Sequence, residues 1–387
     1  MIEIMENTLI KRAAYGKIRR FLQPEKVVVL CGPRRVGKTT LLNQVKEEYK
    51  DAEKILFVTG EDVTTHEPLS SRRLDALKNF VGQATLLIID KAQLIPDIGT
   101  NLKILVDTQP KLKIIASGSS SFDLARKIGE PLVGRKWTVR IFPLAVSELV
   151  DFTNWFAVTD SLETLLVYGS YPEVMKAGGL GNKKEILWEL VDSYLYKDVM
   201  SVENLRKPKI IRNLLELLAY RIGQEVSLTE LGNALQTDRE TVARYLYVLE
   251  EAFVIVNIRG YSRNLRKEIT KSSRYYFYDN GVRNALIGNF NSWQKRNDIG
   301  SLWKNWLVME RLKKQAYTPL YADNYFWRTY DQKEIDWLEE REGKLFGYEF
   351  SWQPKSVKKS TQREFLRAYP ESELSVVHRE NYEEFVV

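Results

Sequence analysis

Short, continuous apolar runs alternate with amphipathic stretches over the first 145 residues. A continuous run rich in β-branched residues predicts a strand buried on both faces, which is typical of a parallel sheet. The runs lie at 27–31, 55–58, 86–90, 113–116 and 136–142. Between them, as at 38–48, apolar residues recur at helical spacing. The pattern predicts an α/β domain in which helices cover a parallel sheet.

The middle of the chain has a different pattern. Residues 147–200 carry apolar positions at helical spacing, interrupted by glycine-containing turns at 169–172 and 178–181, which predicts a helical lid. A helix, a tight turn, a second helix and a strand then follow, which is the order of a winged helix. These four elements are predicted at 228–235, 237–238, 239–250 and 253–256.

The loop after the first strand has the spacing G-x-x-x-x-G-K-T. Glycines at this spacing let backbone N–H groups turn inward around phosphate, while the lysine reaches the outer phosphates and the threonine hydroxyl ligates Mg²⁺. A strand before the loop and a helix after it are the context that the motif needs. The predicted nucleotide-binding residues are Gly32, Pro33, Arg34, Arg35, Val36, Gly37, Lys38, Thr39 and Thr40. The alternative is a purely structural glycine turn.

Two later strands end in polar residues. The run 86–90 ends in Asp90, at the carboxyl edge where ligands bind in open α/β sheets, so Asp90 is predicted to hold Mg²⁺ directly or through water. The strand at 113–116 is followed by a serine cluster, in which Ser117 or Ser119 is predicted to contact a γ-phosphate. The alternative for the cluster is a flexible loop with a helix cap before Phe122.

These motifs together resemble one family from end to end: the prokaryotic AAA-type ATPases with a carboxy-terminal DUF4143 region. The resemblance rests on GPRRVGKTT, LIIDKAQLIP, SGSSSFDL, Gly134-Arg135 ahead of Phe142-Pro143-Leu144, and Gly169-Ser-Tyr-Pro172-Glu173. It implies an additional-strand, AAA/STAND-like P-loop fold, ATP and Mg²⁺ as cofactors, and a homo-oligomer in which a neighbouring subunit supplies an arginine. Arg135 is the first candidate for that arginine and Arg126 the second.

One position departs from the family pattern. Asp90 is at the position of the Walker B aspartate. Members of the family usually carry glutamate directly after that aspartate, where it activates the attacking water, whereas this chain has Lys91. Loss of a general base costs on the order of 10²–10⁴ in rate. Glu61 or Asp62, after the second strand, is a substitute carboxylate. The alternative is that Lys91 pairs with the phosphates and keeps the nucleotide bound without turnover.

The winged-helix pattern makes duplex DNA a candidate partner. Its second helix carries Arg239, Thr241 and Arg244 on the predicted outer side, and Thr237 or Asp238 is positioned as its cap. Residues 259–274 then have six basic side chains against one acidic side chain, among them Arg263, Arg266, Lys267 and Lys271. Such a basic wing suits phosphate contacts. A subunit interface or a solvated charged surface is the alternative.

The last segment has the skeleton of the PD-(D/E)xK nucleases. Glu310 lies on an amphipathic helix at 302–314, Asp336 follows the start of a strand, and Glu349 lies on the next strand. In such nucleases the carboxylates hold a divalent metal and a lysine steadies the attacking water. Ser351 stands where that lysine is expected, so a nuclease-like fold retained for binding is the favoured interpretation, and an ATP-gated metal-dependent nuclease is the alternative.

Composition narrows the classes further. The 387 residues include 58 Lys and Arg against 51 Asp and Glu, a net charge of +7 that permits a polyanionic partner. A single cysteine, Cys31, and two histidines, His66 and His378, exclude a disulfide framework, a cysteine-histidine zinc site and most histidine-based triads. The longest apolar run is far shorter than a membrane span requires, and we expect a cytoplasmic protein without membrane contact.

The sequence therefore predicts four units in an α/β chain: a P-loop ATPase domain at 1–145, a helical lid at 146–205, a winged-helix module at 206–285, and a small α+β, nuclease-like DUF4143 domain at 286–387. The leading hypothesis is an ATP-dependent switch that acts on DNA. Alternatives are a binding protein that holds nucleotide without turnover and the ATP-gated nuclease.

Overall fold

The computed structural model describes residues 9–118, 132–194, 208–262, 273–329 and 331–387. The first unit is a five-stranded sheet in the order β2-β3-β4-β1-β5, and every neighbouring pair in it is parallel. Its strands are β1 (Val27–Cys31), β2 (Ile55–Thr59), β3 (Leu86–Asp90), β4 (Lys113–Gly118) and β5 (Lys136–Arg140). Since β4 lies between β1 and β3, the sheet has the additional strand that the family resemblance implied.

Helices cover both faces of this sheet. They are α1 (Ala14–Phe21), α2 (Lys38–Tyr49), α3 (His66–Ser70), α4 (Leu74–Val81) and α5 (Ile98–Thr108). Alternate residues of β1 belong to different cores: Val28 and Leu30 pack in the cluster that includes α2, whereas Val27 and Val29 pack in the cluster that includes α5. Burial on both faces explains why β1, β3 and β4 read as continuous apolar runs, whereas the edge strands β2 and β5 are more exposed. The prediction of a helix-covered parallel sheet is confirmed.

The next region is helical, as the spacing predicted. It comprises α6 (Val146–Phe152), α7 (Trp155–Asp160), α8 (Leu162–Tyr168), α9 (Pro172–Lys176), α10 (Leu180–Tyr194) and α11 (Pro208–Tyr220). The turn before α9 docks on Asp279, whose carboxylate accepts a hydrogen bond from Ser170 N at 2.8 Å. Gly169 has a φ of +73°, and a Cβ there would lie 1.9 Å from the Asp279 Oδ1 atom, so only glycine fits.

Two helices joined by a tight turn follow at the predicted place: α12 (Leu228–Leu235) and α13 (Arg239–Glu251). Asp238 caps α13, since its Oδ1 accepts a hydrogen bond from Thr241 N at 2.7 Å. The strands nearby are β6 (Glu225–Val226), β7 (Ile255–Gly260) and β8 (Ser273–Phe277), and α14 (Asn280–Leu286) comes after them. That this helix pair forms a DNA-reading winged helix stays a prediction.

The carboxy-terminal strands continue the same sheet across residue 285. A seven-stranded sheet has the order β12-β11-β10-β9-β7-β8-β6, and β7 pairs with β9 in parallel. The added elements are α15 (Ile299–Tyr317), β9 (Asp323–Arg328), β10 (Glu334–Arg341), β11 (Lys344–Phe350), α16 (Lys359–Ala368), β12 (Glu373–Val377) and α17 (Glu383–Val386). The pairing satisfies the backbone groups at the β7 edge, so the predicted modules at 206–285 and 286–387 share one sheet.

Candidate nucleotide-binding site

The phosphate loop leaves β1 in a conformation that requires its glycines. A Cβ on Gly32 would lie 2.1 Å from the Ile141 carbonyl oxygen. Gly37 has a φ of +96° in the left-handed region, and α2 begins directly after it at Lys38. The Lys38 ammonium donates hydrogen bonds to the carbonyl oxygens of Gly32 at 2.8 Å and Pro33 at 2.6 Å, so it lies across its own loop.

The other loop residues point in different directions. Val36 is buried in the core, whereas Thr40 is exposed. Arg35 adopts a left-handed φ of 58° and its guanidinium reaches the helical region, where it lies 2.6 Å from Glu189 Oε1 and 3.4 Å from Glu173 Oε2. Exposed ion pairs of this kind are weak, but they show that the loop contacts α9 and α10. Two helices of the predicted lid therefore contact the phosphate loop through Arg35.

Three predicted side chains converge at the carboxyl edge of the sheet. Thr39 Oγ1 donates to Asp90 Oδ2 at 2.8 Å, and the Ser117 hydroxyl donates to Asp90 Oδ1. The Lys91 backbone N–H donates to both Asp90 Oδ1 and Ser117 Oγ at 3.1 Å. The carboxyl ends of parallel strands meet at this edge, so residues 51 and 78 positions beyond Thr39 in the chain contact one another. A hydroxyl and a carboxylate are the oxygen donors that suit Mg²⁺.

Ser117 is fully buried and bonded to Asp90, so it orients the carboxylate. Its contact with a γ-phosphate stays a prediction, and Ser119 lies outside the described residues.

Lys91 contacts a carboxylate in the turn that follows the neighbouring strand, β2. Its φ is 53°, and its Nζ atom lies 2.6 Å from Glu61 Oε2. Asp62, the other carboxylate that the sequence singled out, is engaged locally: it accepts hydrogen bonds from Thr64 N at 2.9 Å and from the Thr64 hydroxyl at 2.7 Å. These bonds lower the pKa of the Asp62 carboxyl. Of the two candidates, Glu61 is therefore the one beside position 91.

Arg12 is a site residue that sequence reasoning missed. Its buried guanidinium donates to the Val36 carbonyl oxygen at 2.6 Å, to the Phe142 carbonyl oxygen at 2.6 Å, and to Glu148 Oε1 at 3.0 Å. Burial opposes the charge, but the Glu148 carboxylate raises the pKa of Arg12 above its ordinary value. Arg12 belongs to no motif, so the chain offered no signal for a contact with residues 24, 130 and 136 positions away.

Arg135 lies at the opposite edge of the sheet from the phosphate loop. It directly precedes β5, whose last residue, Arg140, pairs in register with Cys31. Five strand residues span about 17 Å, and the Arg135 Nε atom lies 3.1 Å from Asp107 Oδ1. Arg135 therefore does not reach the phosphate loop of its own chain. Action on a neighbouring subunit stays a prediction, and Arg126 lies outside the described residues.

The alternative of an ATP-gated nuclease requires Glu310 to join Asp336 and Glu349 around one ion, and the position of Glu310 contradicts this requirement. Glu310 Oε2 accepts a hydrogen bond from Val146 N at 2.8 Å, and its Oε1 atom lies 2.6 Å from Lys313 Nζ. Within the described residues, no group of three His, Cys, Asp or Glu side chains is arranged to hold a metal. The reason is rotational: α15 turns the Glu310 side chain toward α6 and away from β10 and β11.

Asp336 and Glu349 do lie near each other, with a lysine that the sequence did not single out. Lys304 Nζ lies 2.5 Å from Asp336 Oδ1, and Phe350 N donates to Asp336 Oδ2 at 2.9 Å. Burial and the negative charge of Asp336 raise the pKa of Glu349. The Ser351 hydroxyl donates to the Gln353 carbonyl oxygen at 2.6 Å. The carboxylate that was expected to bind metal is therefore engaged by an ammonium group.

The candidate DNA-binding residues are described only in part. Arg239 and Arg244 are exposed on α13, as predicted, and Tyr247 on the same helix is 52% exposed. The four residues of the basic wing, Arg263, Arg266, Lys267 and Lys271, lie outside the described residues. In the part of the chain that the structure describes, no helix combines the length and apolar character that a membrane crossing requires.

Three family models match consecutive parts of the chain. An AAA domain model, AAA_14, matches residues 24–150, and a domain of unknown function, DUF4143, matches residues 299–385. A second domain of unknown function, DUF8612, matches residues 159–292, so one model spans the helical region from α8 onward together with the α12–α13 pair.

Relatives are found in bacteria and archaea. An uncharacterized protein of Mycobacterium tuberculosis is 28% identical over 346 residues, which cover 88% of this chain and 73% of the relative. An uncharacterized protein of Methanocaldococcus jannaschii is 27% identical, with 82% and 73% covered. An uncharacterized protein of Haemophilus influenzae is 23% identical, with 86% and 84% covered.

Two solved structures are distant matches. AMPPCP-bound DnaA from Aquifex aeolicus is 18% identical with a TM-score of 0.30, over 65% of this chain and 90% of that one. Drosophila ORC bound to DNA is 12% identical with a TM-score of 0.30, over 73% and 96%. TM-scores this low do not establish a common overall fold. The family models and the geometry of the phosphate loop lead to the same conclusion: the chain carries an AAA-type P-loop domain at 24–150 and a DUF4143 region at 299–385.

Proposed function

We propose that this protein is an ATP-dependent molecular switch, in which the AAA domain binds and hydrolyses ATP and passes its nucleotide state to the carboxy-terminal sheet. The proposal rests on the segment 142–148, which is hydrogen-bonded from two sides. Buried polar groups of the phosphate-loop side hold it from one direction, and three side chains of α15 hold it from the other.

In the AAA domain, different residues bind the phosphates and the Mg²⁺ ion. The turned-in N–H groups of residues 32–37 and the Lys38 ammonium bind the phosphates. Thr39 and Asp90 would hold Mg²⁺, which neutralises charge on the phosphates when it is bound. Ser117 keeps the Asp90 carboxylate in place. Because Arg12 bonds the Val36 carbonyl oxygen, a rearrangement of the loop on nucleotide binding would act directly on the Arg12 guanidinium.

Arg12 connects this loop to the segment 142–148. It donates to the Phe142 carbonyl oxygen, and its partner Glu148 also accepts hydrogen bonds from Ala13 N and Ala145 N, each at 2.8 Å. Arg12 and Glu148 are both buried. A buried pair strongly resists losing one partner, because the remaining charge is then uncompensated. The loop and the segment are therefore expected to move together.

Helix α15 holds the same segment from the carboxy-terminal unit. Glu310 accepts from Val146 N, Lys313 Nζ donates to the Leu144 carbonyl oxygen at 2.9 Å, and the Tyr317 hydroxyl accepts from Phe142 N at 3.1 Å. Since α15 also packs on the seven-stranded sheet through Trp303 and Trp306, a shift of the segment reaches that sheet.

Hydrogen exchange tests the proposal on the full chain. ATP with Mg²⁺ is expected to change amide exchange in residues 299–317, and Lys38→Ala is expected to abolish the change together with ATP binding. Tyr317→Phe removes the hydroxyl that accepts a hydrogen bond from Phe142 N, and is expected to keep ATP affinity while weakening the response of α15. If the native chain binds ATP and exchange in 299–317 is the same with and without it, the switch is refuted.

Duplex DNA is the target that we propose for the switch. The supporting observation is the exposed face of α13, where Arg239, Arg244 and Tyr247 lie on a helix whose first turn is capped by Asp238. Replacing both arginines by alanine is expected to lower affinity for a fluorescent duplex and to reduce the slope of log K against log salt by about 2. Arg212→Ala, at an exposed arginine of α11, is the matched control. An unchanged slope would contradict DNA contact by α13.

We also propose that the active form is a homo-oligomer in which Arg135 serves the neighbouring site. The support is its position, at the far end of β5 from its own phosphate loop. An arginine supplied to a neighbouring site contributes on the order of 10³ or more in rate. A mixture of Lys38→Ala and Arg135→Ala chains is expected to hydrolyse ATP faster than either chain alone, since each restores what the other lacks. No recovery after verified subunit exchange would refute this role.

A further inference from the structure

We propose that Glu61 is the general base for ATP hydrolysis in this protein, and that Lys91 is the positioning residue that holds it at the site. The inference rests on the proposed ATPase function and names the residue that replaces the missing glutamate. It is carried by the geometry of the junction between β2 and β3.

The backbone brings Glu61 beside Lys91, the residue that directly follows Asp90. Thr59 pairs in register with Asp90, and Gly60 N donates to the Asp90 carbonyl oxygen at 2.8 Å. A Cβ on Gly60 would lie 2.3 Å from the Lys91 carbonyl oxygen, so the two chain segments pass closer than any other residue permits. Glu61 follows at once, with its carboxylate 2.6 Å from the Lys91 ammonium.

The chemistry of the pair divides the roles. An ammonium group has three donors and no acceptor, so Lys91 cannot take a proton from water, whereas a carboxylate accepts through both oxygens. Lys91 contacts Oε2 of Glu61, and the Glu61 side chain remains 59% exposed. A water molecule can therefore reach the base. The weak surface ion pair serves to restrict the rotamers of Glu61, not to stabilise the fold.

Other nearby carboxylates are engaged differently. Asp62 caps the turn at 63–65 through Thr64, and Asp90 is bonded to Thr39 and Ser117. Glu173 and Glu189 pair with Arg35, on the side of the loop that faces the helical region. Among these, Glu61 combines an exposed carboxylate with a position beside Asp90.

With Glu61 as the base, hydrolysis of ATP consumes one water molecule. A water oxygen attacks the γ-phosphorus, and its proton passes to the Glu61 carboxylate as the new P–O bond forms. The bond from the γ-phosphorus to the β,γ-bridging oxygen breaks, and ADP leaves with that electron pair. Glu61 then returns the proton to solvent, and inorganic phosphate departs.

Single-turnover phosphate release from the full chain, measured beside ATP affinity, tests the assignment. Glu61→Gln is expected to slow release by on the order of 10²–10⁴ with ATP affinity unchanged within about threefold. Lys91→Met should slow it less, by about tenfold, because the base remains but is less well held. The double variant Glu61→Gln with Lys91→Glu places the carboxylate where relatives carry it, and is expected to recover most of the rate. Asp62→Asn, next along the chain, is the matched control and should leave the rate unchanged.

The outcomes separate this inference from the proposed function. If the native chain fails to bind ATP, or Lys38→Ala releases phosphate as fast as the native chain, the ATPase itself is refuted. If Glu61→Gln releases phosphate at the native rate, only the assignment of Glu61 as the base is refuted. If the native chain binds ATP without turnover and Lys91→Glu alone hydrolyses it, Glu61 is not a base and the chain is an ATP-holding form.

Discussion

The candidate nucleotide site and the carboxy-terminal carboxylates differ in one respect: the side chains of the first lie together, whereas those of the second do not all do so. At the candidate nucleotide site, Thr39 and Ser117 both contact Asp90 at the carboxyl edge of the sheet. In the carboxy-terminal sheet, Asp336 is engaged by Lys304, and Glu310 lies elsewhere. Parallel strands bring their carboxyl ends to one edge whatever their side chains are. A carboxylate on a helix depends instead on the rotation of that helix, and Lys304 and Glu310, six residues apart, differ by about 240° around the α15 axis.

The largest expected effect separates the two sites by function. Lys38→Ala is expected to reduce ATP binding and phosphate release by at least about 100-fold, because it removes the cation that reaches the outer phosphates. Asp336→Asn is expected to leave both quantities within about twofold. Titration with a fluorescent ATP analogue and a phosphate-release assay measure them. Comparable losses in the two variants would break the distinction between the sites.

Glu310→Ala tests whether Glu310 is structural. Its removal leaves the Lys313 ammonium buried beside Val146 N with no carboxylate, so a loss of about 3 kcal/mol in the free energy of unfolding is expected. Urea denaturation measures the change. Glu364→Ala, which breaks a half-exposed pair with Lys333, is the control and should cost less than about 1 kcal/mol. Equal costs would mean that burial of Glu310 contributes little.

Glu349→Gln is expected to change how stability depends on pH. The pKa of Glu349 is raised in the folded chain by burial and by the Asp336 charge, so the folded state binds its proton more tightly than the unfolded state. Stability is therefore lost as pH rises from the ordinary glutamate range toward neutrality. The glutamine variant lacks this loss and should be more stable by about 1 kcal/mol at pH 7.5, with no gain at pH 3.5. Thermal unfolding at both values checks the sign.

The smallest expected effect is at the nuclease-like skeleton. With Lys304 at Asp336 and Glu310 turned away, neither Mg²⁺ nor Mn²⁺ is expected to support plasmid cleavage above background. Asp336→Asn should behave as the native chain does in the same assay. Metal-dependent nicking that disappears in Asp336→Asn would restore the catalytic interpretation of this region.

The pattern of apolar and polar residues was sufficient to predict much of the structure of the first domain. Five runs predicted five parallel strands, and the signal was clearest for β1, β3 and β4, because a central strand buried on both faces needs apolar residues throughout. The phosphate loop was equally readable, since its glycines, lysine and threonine act within a few consecutive residues. The helix-turn-helix at 228–250 was found from its spacing and cap. All of these signals are local.

Contacts between distant segments were not readable in the same way. Nothing in the local sequence indicated that Arg12 bonds Val36 and Phe142, or that Lys304 reaches Asp336. The same holds for the parallel pairing of β7 with β9, which joins two predicted modules into one sheet.

By itself, the sequence determined the strand pattern, the phosphate loop and the family, because backbone conformation and burial leave a period or a spacing in consecutive residues. Only the tertiary structure decided that Glu61 lies beside Lys91 and that Glu310 clamps the segment at 142–148. The physical reason is that such pairs depend on strand order and on the rotation of a helix about its axis, and both are set by the packing of the whole chain.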